Sequence, residues 1–435
     1  MATTRDPLAV TTGVDPAQWR VHTPAVLAAL LRRSGDFGAC EDAVQEALLA
    51  AALQWPRDGM PQDPKAWLIR VAARRLIDAD RARLARERRE DDLAAREPMH
   101  AWVAPGADAA ITEFEPRQGQ DDTLRMLLLC AHPALPPTSQ VALALRAVAG
   151  LTTKQIAAGF LVPEATMAQR ISRAKATLRA AGGHFPDPAQ DELAVRLAAV
   201  RQVLYLAFTE GHTASSGTQL TDGDLTSEAV RLTERLHRAT PDDPETAGLL
   251  ALMLLTEARA AARMTAGGDL IPLGEQDRRL WRHTDIERGI ALVTAALPRG
   301  PTGPFQLQAA IAAVHAEAPS PEETDWLQIT ILYRMLLRAG PSPAAQIGYA
   351  VATGMAHGAD AGLAALAPLL RDKAFSRNHR LHAAHGHLLE LAGQSEQARA
   401  AFELAARLTA SIPEQRYLAR KAAADLPSQA CRPIR

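Results

Sequence analysis

The chain has 435 residues, a formal net charge of −1, 47% hydrophobic and only 4% aromatic residues, which calls for two or three domains. The near-neutral balance excludes a generally basic protein, so any contact with phosphates has to come from local patches. Cys40, Cys130 and Cys431 are far apart and form no CxxC pair, which argues against a disulfide framework and a zinc finger and fits a reducing cytoplasm.

Ala and Leu dominate, and period-two runs of Val, Ile and Thr are almost absent, so the chain reads as all-α. No stretch has about 18 uninterrupted apolar residues, and the N-terminus has no apolar signal-peptide core, so no membrane span and a cytoplasmic location are expected. Residues 1–18, with Pro7, Gly13 and Pro16, read as a loose tail. The spacing predicts a helix from Trp19 to Arg33, ended by Ser34-Gly35-Asp36, and a second from Ala39 to Trp55. One face of the second is apolar (Ala43, Val44, Ala47, Leu48, Ala51), and another carries Asp42, Gln45, Glu46 and Leu49. That second face reads either as a solvated surface or as a docking face for a basic helix. A proline-rich loop is predicted over 56–64.

A basic helix is then predicted over 65–89, with nine Lys/Arg against Asp78, Asp80 and Glu87, a net of +6. Ala66, Ile69, Ala73, Leu76 and Ile77 recur on one face, and Arg70, Arg74 and Arg81 fall on the other. Such a cationic stripe is either a solvated face or a phosphate-binding one. Residues 91–120 mix Pro98, Pro105, Gly106, Pro116 and Gly119 with acidic residues and read as a linker.

A compact unit is expected over 121–183. It opens with an apolar helix, Thr123–Cys130, followed by a helix from Thr138 to Ala149 that Gly150 ends. Thr152 and Gln155 have the form of a capping box. The short helix 153–158, a turn at Gly159 and a polar, basic helix opened by Pro163 at its first position form a helix-turn-helix pattern. Glu164, Thr166, Gln169 and Arg170 are placed to read bases; Arg173, Lys175 and Arg179 are placed to touch phosphates.

Asp42-Ala43-Val44-Gln45-Glu46-Ala47, then 66–78, then Leu151-Thr152-Thr153-Lys154-Gln155-Ile156-Ala157 and 162–175 together resemble an extracytoplasmic-function (ECF) sigma factor of bacterial RNA polymerase. The resemblance covers 19–182. It implies that 19–90 is sigma region 2, with Asp42, Gln45 and Glu46 docking on core RNA polymerase. Lys65, Trp67, Arg70, Arg74, Arg75 and Arg81 would meet the −10 element. Region 4, over 121–183, would meet the −35 element through Thr153, Lys154, Glu164, Thr166, Gln169, Arg170, Arg173 and Lys175. Trp67 is read as a core residue before a stacking surface for a flipped base. Promoter DNA and the polymerase β and β′ subunits are the implied partners. Many ECF recognition helices carry Lys-Ser where this chain has Ala168-Gln169.

Residues 186–430 extend beyond a minimal ECF factor. Helical hairpins are predicted over 343–370 and 379–408, with Gly358 and Gly393 at the turns, 35 residues apart. That spacing, together with Ala398 and Phe402, is similar to the tetratricopeptide pattern. The resemblance is to the ECF subgroup with a tetratricopeptide-like extension of DUF6596 type, implying a regulatory domain with a protein or peptide ligand. Asp277, Arg278, Trp281, His315, Asp325 and Trp326 read as a buried polar network rather than a catalytic site. His379, His382, His385 and His387 lack Asp or Cys at ligand spacing, so no metal is expected. Neither a P-loop, a dinucleotide fingerprint nor a nucleophile elbow is present, so neither an enzyme nor a cofactor is expected. The rival reading is a helix-turn-helix transcription activator with a helical sensor domain.

Overall fold

The computed structural model describes residues 16–34, 36–94, 122–148, 150–160, 162–181, 190–213, 216–217, 221 and 223–423. Two compact units form, residues 1–203 and 204–435. The expectations for Cys431 and most of the linker fall outside the described residues.

In the first unit α1 (Pro16–Ser34), α2 (Phe37–Asp58) and α3 (Pro64–Ala94) pack on one another in a three-helix bundle. Its core takes Val26, Leu27, Leu30 and Leu31 from α1, and Phe37, Val44, Ala47 and Ala51 from α2. Leu68, Ile69, Ala72, Ala73 and Leu76 come from α3. Each large side chain stabilises the bundle by about 1.5–3 kcal/mol.

The helix boundaries depart from the sequence expectation in informative ways. Helix α2 begins at Phe37, two residues earlier than expected, because Asp36 caps it: its carboxylate accepts from Ala39 N at 3.1 Å. It continues past Pro56, because Gly59, at φ 84°, donates its N–H to Trp55 O at 3.0 Å and closes the last turn there. The loop expected from residue 56 is therefore shorter. Asp63 caps α3 by accepting from Ala66 N at 2.9 Å, which leaves Pro64 at the first helical position. Helix α3 then runs to Ala94, into the expected linker. Between Arg81 and Ala94 the chain holds mostly Ala, Leu, Arg and Glu, with no Gly or Pro to stop it.

Helices α4 (Asp122–Cys130), α5 (Pro137–Ala147), α6 (Thr153–Gly159) and α7 (Glu164–Ala180) follow. The buried Gln140 donates through Nε2 to the carbonyls of Ala131 at 3.3 Å and His132 at 3.0 Å, which fixes the α4–α5 turn. Helix α5 ends two residues earlier than expected. Gly150 then takes φ 68°, which a side chain would resist, and Leu151 N donates to Leu145 O at 3.0 Å. Pro163 sits at the cap of α7 and not inside it, because its ψ of 143° is extended. Helices α5, α6 and α7 pack mutually; α4 also packs on α1, and α2 on α7. The two N-terminal parts thus share one compact unit.

The second unit comprises the end of α8 (Gln190–His212) and α9 (Gly223–Ala239), α10 (Pro244–Glu257), α11 (His283–Ala296) and α12 (Pro304–Glu317). It continues with α13 (Trp326–Ala339), α14 (Pro343–His357), α15 (Ala359–Arg371), α16 (His379–Leu391), α17 (Ser395–Leu408) and α18 (Ile412–Ala423). Among the described residues, strand pairing is confined to a two-residue parallel ladder, Ser216–Gly217 with Ala410–Ser411, and a bridge between Met264 and Leu270. The all-α reading holds.

The two predicted hairpins are α14–α15 and α16–α17, turned at Gly358 (φ 97°) and Gly393 (φ 72°). Ala398 and Phe402 are buried in the core that α17 shares with α18. A Cβ on Gly386 would lie 2.8 Å from the Phe402 ring, so that glycine lets α16 and α17 close together. Gly248 plays the same part where α10 meets α12: a Cβ there would lie 2.6 Å from Gln306 N. The buried Gln306 donates to Ala296 O at 2.9 Å and accepts from Gly303 N at 2.9 Å, while Glu245 accepts from the N–H groups of Phe305 and Gln306.

The residues read as one buried polar network instead serve separate helix ends, and Asp325 is exposed. Arg278 donates to the carbonyls of His315 and Ala318 at the end of α12, and lies 4.5 Å over the Trp281 ring. Asp277 caps a short 3-10 turn and Asp325 caps α13. His315 meets the Trp326 ring edge-to-face at 5.2 Å. Among the histidines farther on, His379 pairs with Glu414 at 3.1 Å and His382 bonds Ser376 O at 2.8 Å.

Burial, then the charges of Arg259 and Arg278, push the His315 imidazole down to about 4. An unfolded chain protonates it near 6.5. Between these values the unfolded state binds more protons, so stability is complete above 6.5 and falls as the pH drops toward 4. Burial depresses His212 and His387 in the same sense. The melting temperature should therefore be lower at pH 5 than at pH 7.5. His315→Phe, which keeps the contact with Trp326, should recover about 1–2 kcal/mol of that loss. An unchanged pH dependence in the variant would rule out His315 as a contributor.

Candidate nucleic-acid interface

Three surfaces of the first unit carry the residues singled out in the sequence. The first lies on α2. The i, i+3/i+4, i+7 pattern that buries Ala43, Val44, Ala47 and Ala51 turns Asp42, Gln45, Glu46 and Leu49 outward together. Leu53, 59% exposed and one turn beyond Leu49 at 52%, lengthens that stripe. Sequence reasoning missed Leu53, although its spacing of four from Leu49 was there to be read. The stripe is acidic at one end and apolar at the other, a combination suited to a basic amphipathic partner.

The second surface lies between α2 and α3. Ala50 and Gln54 of α2 and Trp67, Arg70, Val71, Arg74, Arg75 and Asp78 of α3 line a cleft of about 480 Å³. Arg70, Arg74, Arg75 and Arg81 are exposed; Lys65 is half-buried. Arg75 is paired with Glu46 at 3.4 Å, so one residue expected on DNA touches one expected on polymerase. Both are more than half exposed, and the pair contributes little to stability. Trp67 is not a fully buried core residue. It is half-buried on the cleft wall, held edge-to-face against the buried Trp55 at 5.4 Å. An aromatic ring fixed beside exposed guanidinium groups offers a stacking surface and phosphate contacts in one place.

The third surface is the helix-turn-helix. Thr166, Gln169, Arg170 and Arg173 of α7, with Thr138 and Ser139 at the start of α5, line a cleft of about 390 Å³. Arg170 lies 5.8 Å over the Phe160 ring of the turn, which orients it. Glu164 and Lys154 are exposed, and Thr153 is half-buried. Met167, Ile171, Ala174 and Leu178 anchor the opposite side of α7. The Gln155 side chain, and with it the capping box, is outside the described residues.

Lys175 does not join this set. Two residues beyond Arg173, it lies on another side of the helix, where it pairs with Glu41 of α2. Arg179 pairs with Asp36 at 2.8 Å. The phosphate role read for these two residues is therefore not what this arrangement shows. Sequence reasoning also missed Glu41 and Asp36. The available signal was that Glu41 flanks the apolar stripe of α2 in phase with Cys40 and Val44, an unusual place for a solvated carboxylate.

Known proteins bear on these surfaces. Residues 19–89 match the family model described as Sigma-70 region 2, and 125–178 match Sigma-70, region 4. Residues 196–297 match a family of unknown function, DUF6596. An uncharacterized protein of Rhizobium meliloti is 42% identical over 91% of this chain and 92% of its own length. A probable ECF RNA polymerase sigma factor, SigI, of Mycobacterium tuberculosis is 32% identical over 37% of this chain and 52% of that protein, in each of two strains. No solved structure matches. Among the described residues no helix is long and apolar enough to cross a membrane. With region 2, region 4 and the DUF6596 extension in this order, the chain belongs to the sigma-70 superfamily, with a C-terminal extension.

Proposed function

We propose that the chain directs transcription initiation as an ECF-type sigma factor in which each of the three surfaces has its own task. Membership in the superfamily implies binding to core RNA polymerase and to promoter DNA. The finer assignment is that Asp42, Gln45, Glu46, Leu49 and Leu53 dock on polymerase. Lys65, Trp67, Arg70, Arg74, Arg75 and Arg81 hold the melted −10 element. Thr166, Gln169, Arg170 and Arg173, with Lys154 and Glu164, meet the −35 element. The observation that carries it is the α2–α3 cleft, where Trp67 lines one wall with Arg70 and Arg74, two exposed arginines without an ion pair among the described residues. An operator-binding activator has no need of that unit, and region 2 families are not enzymes.

Arg70→Ala with Arg74→Ala should lower open-complex formation with core polymerase about tenfold, read by permanganate reactivity of unpaired thymines. Affinity of the free chain for duplex DNA should change less than about threefold, because the α7 surface is untouched. Equal losses in both assays would favour the activator reading.

The regulatory task of the C-terminal region belongs to the same proposal. Its support is the run of stacked hairpins, since such arrays present extended binding surfaces. On α13, Leu327, Ile331 and Met335 are exposed at a spacing of four, beside Arg334 and Arg338. Removing residues 186–435 should change transcript yield at least threefold. Equal yields from the full and shortened chains would remove the regulatory role.

A further inference from the structure

The first turns of α2 carry two carboxylates that the reading above leaves without a task. Glu41 is 6% exposed. Its Oε1 accepts from Arg146 Nε of α5 at 3.2 Å, and its Oε2 accepts from Lys175 Nζ of α7. The same ammonium lies 5.9 Å over the Phe37 ring. One turn earlier, Asp36 Oδ1 accepts from Arg179 Nη2 at 2.8 Å. A Cβ on Gly38 would lie 3.3 Å from that same Nη2, so the backbone of α2 and the Arg179 side chain meet closely.

Residues 36–41 therefore form one patch, and among the described residues the cations paired with its carboxylates, Arg146, Lys175 and Arg179, come from region 4. Carboxylates occupy the positions that phosphates would take on Lys175 and Arg179. A carboxylate this buried is tolerated because two cations neutralise it. Separation returns all five groups to water, so what is lost is largely offset by hydration, and the contact is reversible. The exposed stripe of α2 begins at Asp42, the very next residue, so the same helix carries the contact and the surface assigned to polymerase.

We propose that Glu41 and Asp36 form an electrostatic clasp that holds region 4 against region 2 in the free chain. It withholds Arg146, Lys175 and Arg179 from DNA phosphates until it opens. The base-reading Thr166 and Gln169 and the phosphate-facing Arg173 stay accessible in the closed state, whereas Lys175 and Arg179 are held by carboxylates. What opens the clasp, engagement of α2 by polymerase, rests on the sigma reading; the closed state does not.

The test uses the full chain with Glu41→Gln and Asp36→Asn together; Asn retains the helix cap. Spin labels on Ala79→Cys and Ser172→Cys, both exposed, report the separation of α3 from α7. Cys431 is replaced by Ser, and Cys40 and Cys130 are buried. The wild type should give one narrow distance distribution, and the variant a longer and broader one. Lys175→Gln should lengthen it as well, by the other half of the same contact. Affinity for an arbitrary duplex of about 30 base pairs should rise about fivefold or more in the Glu41/Asp36 variant, with a steeper salt dependence. Distance separates release of region 4 from the mere loss of two negative charges. Identical distributions in wild type and both variants would overturn the clasp. A wild-type distance that ignores added core polymerase would count against the sigma reading instead.

Discussion

Helix α2 has to satisfy three neighbours at once, and the first unit follows from how it does so. Its alanine-rich stripe lets α1 and α3 approach and form the bundle. Its outward stripe runs from Asp42 to Leu53. Its first turns present Asp36 and Glu41 to α5 and α7. A helix has room for three such faces because successive side chains are offset by about 100°. The same geometry makes its composition restrictive. A bulky residue at Ala47 or Ala51 would push the bundle apart, and a neutral one at Glu41 would free region 4.

Charge is arranged against this frame with some economy. The chain is nearly neutral overall, yet α3 turns Arg70, Arg74, Arg75 and Arg81 to one side. Arg75 is partly answered by Glu46 from the neighbouring helix. Region 4 keeps Arg173 open in its cleft while Lys175 and Arg179 are answered by α2. Exposed cations draw DNA in, and answered ones keep a near-neutral protein from binding phosphates indiscriminately. The C-terminal unit uses its buried and half-buried polar groups differently. Gln306, Glu245 and Arg278 spend their hydrogen bonds on helix ends, so they read as devices for joining helices.

Much of this was legible in the sequence, for identifiable reasons. The bounds of α16 and α17 were read from Gly393, from Ser395 and from apolar spacing, since all three signals are local. The outward stripe of α2 and the basic face of α3 followed from helical period alone. The start of α3 was one residue late because Asp63 was read with the loop, although Asp before Pro is a cap signal. Trp67 was misplaced because its wall of the cleft is completed by Ala50 and Gln54, seventeen and thirteen residues away on another helix. Glu41, Lys175 and Asp36 could not be paired from the sequence. Their contacts span more than a hundred residues, and nothing local distinguishes a clasped lysine from one on DNA.

The central claim is that this chain confers promoter-specific initiation on core polymerase. Run-off transcription with purified bacterial core RNA polymerase, with and without the full chain, on pooled promoter fragments from its own genome tests it most directly. The account predicts discrete transcripts that appear only when the chain is present, sharing one −35 and one −10 motif. Absence of transcripts from both the full chain and residues 1–185, with duplex binding intact, would contradict it and leave the chain as a DNA-binding activator.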